Sequence, residues 1–280
     1  MTESVLITGI DGFLGQHLLR ALNAKGYRVV GLNRTESPRK KENVEVKMYN
    51  HPEAIIRDEP AFKYIFHLAA YIPYGKFHQP DTALYTTNIK LTGNLTERYA
   101  SSRFIFASSV AVYGYPLQLP LGVHSAFNNP DYYGLSKLAG EAIVKNHPDY
   151  AIVRFSSIIG KGMKHVSLIP RMIDQAKENK RIEVWGNGER LQNYIDVRDA
   201  AKLCTHCADV HENVIALGVG DKSYSNNEVA KIIARHTGAG IVHTGEDESP
   251  SFVYDPGGEY NTLHFKPEIT FAQTIAEMIV

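Results

Sequence analysis

Two side chains on one predicted helix have the types and the spacing for proton transfer. Tyr133 and Lys137 are four residues apart, so both lie on the same face of a helix. A free phenol has a pKa near 10, which is too high for efficient proton exchange at neutral pH. A neighbouring ammonium and a cationic nicotinamide would both stabilise the phenolate and lower this pKa. The pair is a candidate acid/base for a reaction between an alcohol and a carbonyl.

A serine at the end of a predicted strand completes this candidate redox site. Residues 103–107 are predicted to form a strand, and Ser108 and Ser109 follow at its carboxyl end. Ligands of open α/β sheets bind at that edge of the sheet. Ser109 can donate a hydrogen bond to a carbonyl oxygen as negative charge gathers there during hydride transfer. A tyrosine and a lysine at this spacing also occur by chance, so their interpretation depends on the serine and on a cofactor site.

A glycine-rich turn near the N-terminus predicts that cofactor site. The apolar run 5–7 predicts a buried parallel strand, and leucines recur at helical spacing after residue 15. The glycines between them lie at a strand-to-helix turn, where a side chain would block a pyrophosphate from backbone N–H groups. A tight turn without a ligand is the alternative. The predicted cofactor-binding residues of this turn are Gly9, Asp11, Gly12, Phe13 and Leu14.

The end of the second predicted strand bears on the choice of dinucleotide. The strand ends at Asn33 and Arg34, where dinucleotide-binding units carry an acid for the ribose hydroxyls about 20 residues after the glycines. Here that acid is missing, and a guanidinium next to the ribose favours a 2′-phosphate. We therefore predict NADP(H), with NAD(H) as the alternative. A solvated loop arginine is the other interpretation of Arg34, because basic residues crowd the following segment.

Strands and helices alternate along the first half of the chain, which predicts an α/β fold with a Rossmann-type, doubly wound parallel sheet. Residues 1–160 are predicted to form an NAD(P)-binding domain. Residues 161–280 are predicted to form mainly a smaller α/β substrate-binding region, interlaced with the first. Strands near 181–184 and 213–216 are candidates to return to the first domain. His67 lies within an apolar run and is interpreted as a core histidine.

Composition excludes several classes of function. Lys+Arg and Asp+Glu are both 30, and this zero net charge argues against a nucleic-acid partner. No window approaches the roughly 18 apolar residues of a membrane span, so we expect a soluble cytoplasmic protein. Cys204 and Cys207 lie in a helical pattern, where core packing is favoured over redox chemistry. No metal site is predicted.

These motifs occur in the order found in extended short-chain dehydrogenase/reductases, and the chain resembles their nucleotide-sugar epimerases, dehydratases and reductases. The resemblance implies Ser109 as carbonyl hydrogen-bond donor, Tyr133 as acid/base, and Lys137 as ribose ligand and pKa modulator. It also implies a homodimer through helices near 82–100 and 131–146. The remaining cofactor-binding residues predicted from the matching motifs are Leu68, Ala69, Ala70, Asn88 and Ser108.

The chain departs from this family pattern on the substrate side. The Asp-Glu pair that sugar 4,6-dehydratases carry after the hydroxyl residue is replaced by Val110 and Ala111, which cannot move protons, so dehydration is disfavoured. The nucleotide-phosphate arginine is displaced to Arg190, whose fork still suits a pyrophosphate. A substrate without a nucleotide is the alternative. The predicted substrate-binding residues are Ser109, Ser157, His165, Arg190 and Gln192.

Two of these predictions have competing interpretations. His165 falls where related epimerising reductases place a second proton donor, but a solvated loop histidine is also compatible with its lysine-rich surroundings. The acidic segment 246–260 is expected to be a surface excursion without chemistry.

Asn33 and Arg34 favour a 4-keto sugar reductase, because an enzyme that selects NADP consumes its cofactor. A nucleotide-sugar 4-epimerase with tightly held NAD is the first alternative, and a non-catalytic redox sensor is the second.

Overall fold

The computed structural model describes residues 3–34, 44–48, 61–73, 81–164 and 167–280. Short apolar runs in these ranges form parallel and antiparallel strands, as their alternation with amphipathic segments predicts. In chain order the strands are β1 (Ser4–Thr8), β2 (Arg28–Asn33), β3 (Val44–Met48), β4 (Tyr64–His67), β5 (Arg103–Ser109), β6 (Tyr150–Phe155), β7 (Ser157–Ile159), β8 (Arg181–Trp185), β9 (Leu191–Asp196), β10 (Val214–Gly218), β11 (Ser223–Ser225) and β12 (Gly240–Thr244).

The helices of the described residues mostly begin at capping side chains or glycines. Asp131 caps one helix through the Gly134 N–H, and Ser225 and Thr270 form capping boxes. In chain order the helices are α1 (Phe13–Ala24), α2 (Leu91–Arg98), α3 (Tyr132–Val144), α4 (Leu168–Asn179), α5 (Val197–Asp209), α6 (Asn226–Thr237), α7 (Glu259–Thr262) and α8 (Phe271–Ile279).

The central sheet has seven parallel strands in the order β3-β2-β1-β4-β5-β6-β10. Its order reverses between β1 and β4, the point at which open α/β sheets bind ligands. On one face, α1 and α5 pack through residues such as Leu18 and Leu203; on the other, α2 lies over Phe104 and Phe106 through Leu91. The predicted doubly wound parallel sheet is confirmed.

One of the two returning strands behaves as predicted and the other does not. β10 joins the central sheet next to β6, but β8 pairs in parallel with β12 in a separate two-stranded sheet. Ile182 and Val184 of β8 are buried in a second core with Ile173 of α4 and Ile233 of α6. The expectation that a strand near 181–184 returns to the first domain is therefore wrong, because its apolar side chains are covered by the C-terminal helices.

The long helix predicted over 82–100 has two parts. Leu84–Lys90 is π-helical and continues into α2, which ends at Arg98. The wider turn of a π-helix, closed by i→i+5 hydrogen bonds, changes the directions of the side chains relative to an α-helix, and such segments are frequent at functional sites.

Cys204 and Cys207 are free and fully buried in α5, and burial raises the pKa of both thiols. The core interpretation of the cysteines is confirmed. None of the helices in the described ranges combines the length and the apolar character that crossing a bilayer requires.

Candidate active site

The three candidate catalytic residues converge at the carboxyl end of β5. The Ser109 hydroxyl oxygen accepts a hydrogen bond from the Ala111 N–H at 3.1 Å, which starts a 3₁₀ turn over Val110–Tyr113. Gly134 of α3 packs directly on this turn, and a Cβ at Gly134 would overlap the Ala111 carbonyl oxygen. Tyr133 immediately precedes Gly134, so the start of α3 and the serine-bearing turn are neighbours. The structure thus brings these two elements together, and the catalytic roles of the three residues stay predictions.

Lys137 lies one helical turn after Tyr133 and is almost completely buried. Its Nζ donates a hydrogen bond to the Ala107 carbonyl oxygen at 2.7 Å, and it lies 6.0 Å from the centre of the Tyr133 ring. Burial lowers the pKa of Lys137 to about 7, and the Glu141 carboxylate opposes this shift. The ammonium is therefore held, at a cost in solvation, beside the phenol that it is predicted to activate.

A buried ion pair behind this site was not predicted from the sequence. Nε and Nη2 of Arg154 donate to the two Glu141 carboxylate oxygens at 2.9 and 2.7 Å. Nη1 of Arg154 donates to the Tyr113 hydroxyl at 2.9 Å, and the Ser108 hydroxyl donates to Glu141 at 2.7 Å. The available signal was a glutamate one turn after Lys137 and an arginine inside an apolar strand, since such charges are rarely buried unless paired.

His67 is a fully buried core histidine, as predicted. Its Nε2 is 2.9 Å from the Thr92 hydroxyl, which donates its own proton to the Asn88 carbonyl oxygen. Nε2 therefore carries the ring proton, and Nδ1 accepts from the Thr8 hydroxyl at 2.7 Å. Burial lowers the pKa of His67 to about 3, with a further contribution from the Lys137 charge. The neutral ring links β1, β4 and α2 and moves no proton near neutral pH.

Asn88 lies in the π-helical segment and is also buried. Its side chain accepts from the Tyr71 N–H at 2.8 Å and donates to the Tyr71 carbonyl oxygen at 3.0 Å. It also donates to the Ser136 hydroxyl at 2.9 Å. Asn88 thus ties the chain after β4 to α3 next to Lys137. These contacts assign it a positioning role; its predicted contact with a cofactor stays a prediction, as does that of Ser108.

The glycine turn is shaped as an anion cradle. Gly9 has φ +71°, and a Cβ there would lie 3.0 Å from the backbone of Ala69. A Cβ at Gly15 would overlap the carbonyl oxygens of Gly9 and Ile10. The N-cap of α1 is Gly12, with no side-chain capping bond, so no cap side chain competes for the N–H groups at this helix start. Phe13 and Leu14 begin the helix, and the arrangement fits the pyrophosphate of a dinucleotide.

The end of β2 meets this turn through side chains. Nδ2 of Asn33 donates to the Asp11 carboxylate, and Nε2 of Gln16 donates to the Asp11 carbonyl oxygen at 2.9 Å. The Gly9 N–H also donates to the Leu32 carbonyl oxygen at 3.0 Å. Arg34 is exposed. The sequence therefore lacks an acid at the end of β2, but the structure places one there from the glycine turn.

The predicted substrate side is assembled on a small sheet of order β11-β9-β7. Ser157 is exposed at the start of β7, where it pairs with Tyr194 of β9. Gln192 of β9 donates to the Asn226 side chain at 2.9 Å. Nε of Arg190 donates to the Pro250 carbonyl oxygen at 3.2 Å, and its Nη1 is 3.8 Å from the Asp247 carboxylate. His165 lies outside the described residues.

The segment 246–260 lies at the surface, as predicted, since each of its residues is exposed or half-buried, but its backbone is paired with two other parts of the chain. The Phe252 N–H donates to the Leu191 carbonyl oxygen at 2.9 Å. The Leu121 N–H donates to the Val253 carbonyl oxygen at 2.8 Å, and the Leu121 carbonyl oxygen accepts from the Asp255 N–H at 2.9 Å. The segment is a strap that ties the start of β9 to the loop before α3. Backbone hydrogen bonds of this kind leave no trace in composition, so the sequence predicted the surface position of the segment and not its pairing.

The described residues contain no cluster of three or more His, Cys, Asp or Glu side chains that could hold a metal ion.

Comparisons with known proteins place this geometry in context. The model of the NAD dependent epimerase/dehydratase family matches residues 5–218. A Methanocaldococcus jannaschii protein named "Putative UDP-glucose 4-epimerase" is 27% identical, over 98% of this chain and 97% of its own. A dTDP-4-dehydro-6-deoxy-D-allose reductase of Streptomyces bikiniensis is 27% identical, over 82% of this chain and 80% of its own.

A solved structure has the same fold over nearly the whole chain. It is the UDP-glucuronic acid 4-epimerase from Bacillus cereus in complex with UDP-glucuronic acid and NAD. Its TM-score is 0.83 at 20% identity, with 99% of this chain and 98% of that chain covered.

Proposed function

Because the chain belongs to the NAD-dependent epimerase/dehydratase family, we propose that it interconverts a hydroxyl and a keto group on a nucleotide-linked sugar, as a 4-epimerase. Family membership establishes the cofactor class, a nicotinamide dinucleotide. The observation that carries the proposal is the packing of α3, with Tyr133 and Lys137, against the end of β5 and the turn that follows Ser109. The full-length similarity to a protein named as a UDP-glucose 4-epimerase supports the choice of reaction.

Each of the three residues has one task in this reaction. Ser109 holds the sugar oxygen by a hydrogen bond, and Tyr133 takes the proton of the hydroxyl as a keto group forms. The nicotinamide ring, when bound, supplies a site that accepts hydride from the sugar carbon and returns it. Lys137 stabilises the phenolate by its charge and contacts the ribose. The keto sugar then rotates within the site, so that its other face is presented for hydride return. Tyr133 gives the proton back to the same oxygen.

The residues after Ser109 support epimerisation over dehydration. Eliminating water requires a second acid and base beside the sugar, and Val110 and Ala111 supply neither. The 3₁₀ turn that carries them is fixed by the Ser109 cap and by Gly134. We therefore do not propose 4,6-dehydratase activity for this protein.

A 4-keto sugar reductase is the second candidate, and Arg34 favours it. A guanidinium at the adenosine ribose suits a 2′-phosphate, and an NADP-selective enzyme consumes its reduced cofactor. The similarity to a dTDP-4-dehydro-6-deoxy-D-allose reductase supports the same reaction. The catalytic residues keep their tasks, with Tyr133 donating its proton once and the product leaving.

We further propose a nucleotide-sugar ligand on the β11-β9-β7 sheet and a homodimer. Ser157, Arg190 and Gln192 are the proposed substrate contacts, and Arg190 would exchange its contacts with Asp247 and Pro250 for the pyrophosphate. Tyr85 of the π-helical segment and Leu135 of α3 are 58% and 47% exposed. These apolar side chains on neighbouring helices suit a dimer interface formed by the helices predicted to pair.

The test supplies UDP- and dTDP-hexoses, and 4-keto deoxysugar nucleotides, to the purified protein with each dinucleotide. An epimerase forms the C4 epimer, followed by NMR, while catalytic amounts of cofactor remain oxidised. A reductase consumes NADH or NADPH in proportion to product. Binding of dinucleotide without either product, across the whole panel, would favour a redox sensor and overturn the proposal.

A further inference from the structure

The choice between NAD and NADP is made at the adenosine ribose, which lies over the end of β2 in dinucleotide-binding α/β units. A carboxylate at that position accepts hydrogen bonds from the ribose hydroxyls and repels a 2′-phosphate. The last residue of β2 in this chain is Asn33, so the strand itself supplies no charge there.

The structure fills this gap from the glycine turn. The Asn33 amide donates to the Asp11 carboxylate, and Asn33 itself is buried. Asp11 follows Gly9 and Ile10 in the turn, and its backbone is held by the Gln16 side chain at 2.9 Å. The Gly9 N–H fixes the turn to β2 through Leu32 at 3.0 Å. The carboxylate is thereby held at the end of β2, although it belongs to a residue 22 positions earlier.

Arg34 is less well placed to outweigh this charge. It is exposed, so its interaction with a phosphate is weakened by water and salt. Its charge also acts on the phenol of Tyr71 beyond the end of β4, where it only partly opposes the Asp81 hydrogen bond that raises the Tyr71 pKa. Asp11, in contrast, is fixed beside the strand end by its contact with Asn33.

We propose that Asp11, held in place by Asn33, reads the adenosine ribose and makes the protein select NAD over NADP. The inference rests on the proposed function in one respect, because it requires that the glycine turn binds a dinucleotide. It replaces the NADP preference predicted from Asn33 and Arg34. An NAD-selective site also agrees with an enzyme that regenerates its cofactor in every turnover.

The experiment measures binding without turnover. NAD⁺ and NADP⁺, and the fragments 5′-ADP and adenosine 2′,5′-bisphosphate, are titrated calorimetrically into the full chain after any copurified dinucleotide is removed. The wild-type protein is expected to bind NAD⁺ at least tenfold more tightly than NADP⁺. In Asp11→Asn this ratio is expected to fall at least tenfold, mainly through tighter NADP⁺ binding, and the fragments are expected to show the same change.

Two further variants separate charge from position. Asn33→Ala leaves the carboxylate in the turn without its amide partner, so NAD⁺ binding is expected to weaken threefold to tenfold. Asp209→Asn makes the same chemical change at an exposed carboxylate that pairs with Lys25, and the ratio is expected to stay within twofold. Thermal melting checks that each variant is folded.

The possible failures are distinguishable. A wild-type preference for NADP⁺, an unchanged ratio in Asp11→Asn, or a tenfold loss of NADP⁺ affinity in Arg34→Ala would each overturn the role of Asp11. Binding of neither dinucleotide would overturn both this inference and the proposed function. The expected ratios without turnover of any sugar nucleotide would support the role of Asp11 and count against the proposed enzyme alone.

Discussion

The Glu141 carboxylate and the Arg154 guanidinium form a two-pronged ion pair, with Nε and Nη2 at 2.9 and 2.7 Å from the two carboxylate oxygens. Glu141 belongs to α3, which carries Tyr133 and Lys137, and Arg154 belongs to β6. The Glu141 carboxylate also accepts a hydrogen bond from the Ser108 hydroxyl of β5 at 2.7 Å. It therefore fixes the catalytic helix to the two strands beneath it, directly behind the proposed reaction site.

Replacing one partner of this pair is expected to destabilise the protein strongly. Arg154→Met leaves a buried carboxylate without its partner, and we expect the free energy of unfolding to fall by about 3–5 kcal/mol. The double variant Arg154→Met/Glu141→Leu removes both charges and is expected to recover part of this loss. Urea unfolding followed by circular dichroism measures both effects.

A matched control uses an exposed ion pair. Lys25 and Asp209 are 2.7 Å apart with both side chains solvent-accessible, so Lys25→Met is expected to change the free energy of unfolding by less than about 1 kcal/mol. An Arg154→Met variant as stable as Lys25→Met would show that the buried pair does not hold α3 in place.

A methyl group at Gly134 is expected to impair catalysis by displacing Tyr133. The Cβ of Gly134→Ala would overlap the Ala111 carbonyl oxygen, so α3 and the serine-bearing turn must separate. A displacement of about 1 Å in a catalytic geometry can cost on the order of 100-fold in rate. We expect kcat to fall at least tenfold while dinucleotide affinity stays within threefold.

Gly93 of α2 is the control for this substitution, because a Cβ there meets nothing within 4 Å. Gly93→Ala is expected to keep full activity and to raise the melting temperature slightly, since alanine favours a helix over glycine. Equal kcat values for the Gly134 and Gly93 variants would contradict the close packing of α3 on the turn.

The phenol of Tyr133 is expected to be essential for turnover and dispensable for cofactor binding. Tyr133→Phe removes the acid/base, for which a loss of about 10²–10⁴-fold in kcat is typical. Tyr132→Phe, one residue earlier on the same helix, is the matched control and is expected to keep kcat within twofold. Dinucleotide titration checks the binding site. Retained turnover in Tyr133→Phe would refute the assignment.

The sequence predicted those parts of the structure that depend on local patterns. The glycine turn, the tyrosine and lysine on α3, and the serine at the end of β5 each combine a motif with the element that carries it. The pairing of β8 with β12 was missed because Ile182 and Val184 give the same apolar pattern for either partner. Only packing against α4 and α6 decides between the two sheets.

Contacts between polar residues that are distant along the chain could not be predicted from the sequence either. Asp11 and Asn33 each have an ordinary interpretation alone, and their contact follows from the way the turn folds over β2. Arg154 and Glu141 are charged residues that composition assigns to the surface, yet both are buried. The role of His165, which lies outside the described residues, and those of the substrate contacts stay predictions.

The buried ammonium of Lys137 is expected to give the protein an unusual dependence of stability on pH. Its pKa is lowered from 10.5 to about 7 in the folded protein, mainly by burial. Below pH 7 both folded and unfolded chains carry the proton, and between about pH 7 and 10.5 the unfolded chain binds more protons. The free energy of unfolding therefore rises with pH over this range, by about 2 kcal/mol between pH 7 and 9 from this group.

Lys137→Met removes the titrating group and keeps most of the side-chain volume. The difference in free energy of unfolding between the wild type and this variant, measured in urea without dinucleotide, is expected to change by that amount from pH 7 to pH 9. Other titrating groups cancel because both proteins contain them. His67, whose pKa the Lys137 charge helps to lower, stays neutral throughout in the folded protein, since its pKa is about 3. Parallel stability profiles for the two proteins would mean that Lys137 keeps its ordinary pKa, and that its amine is solvated in solution instead of buried.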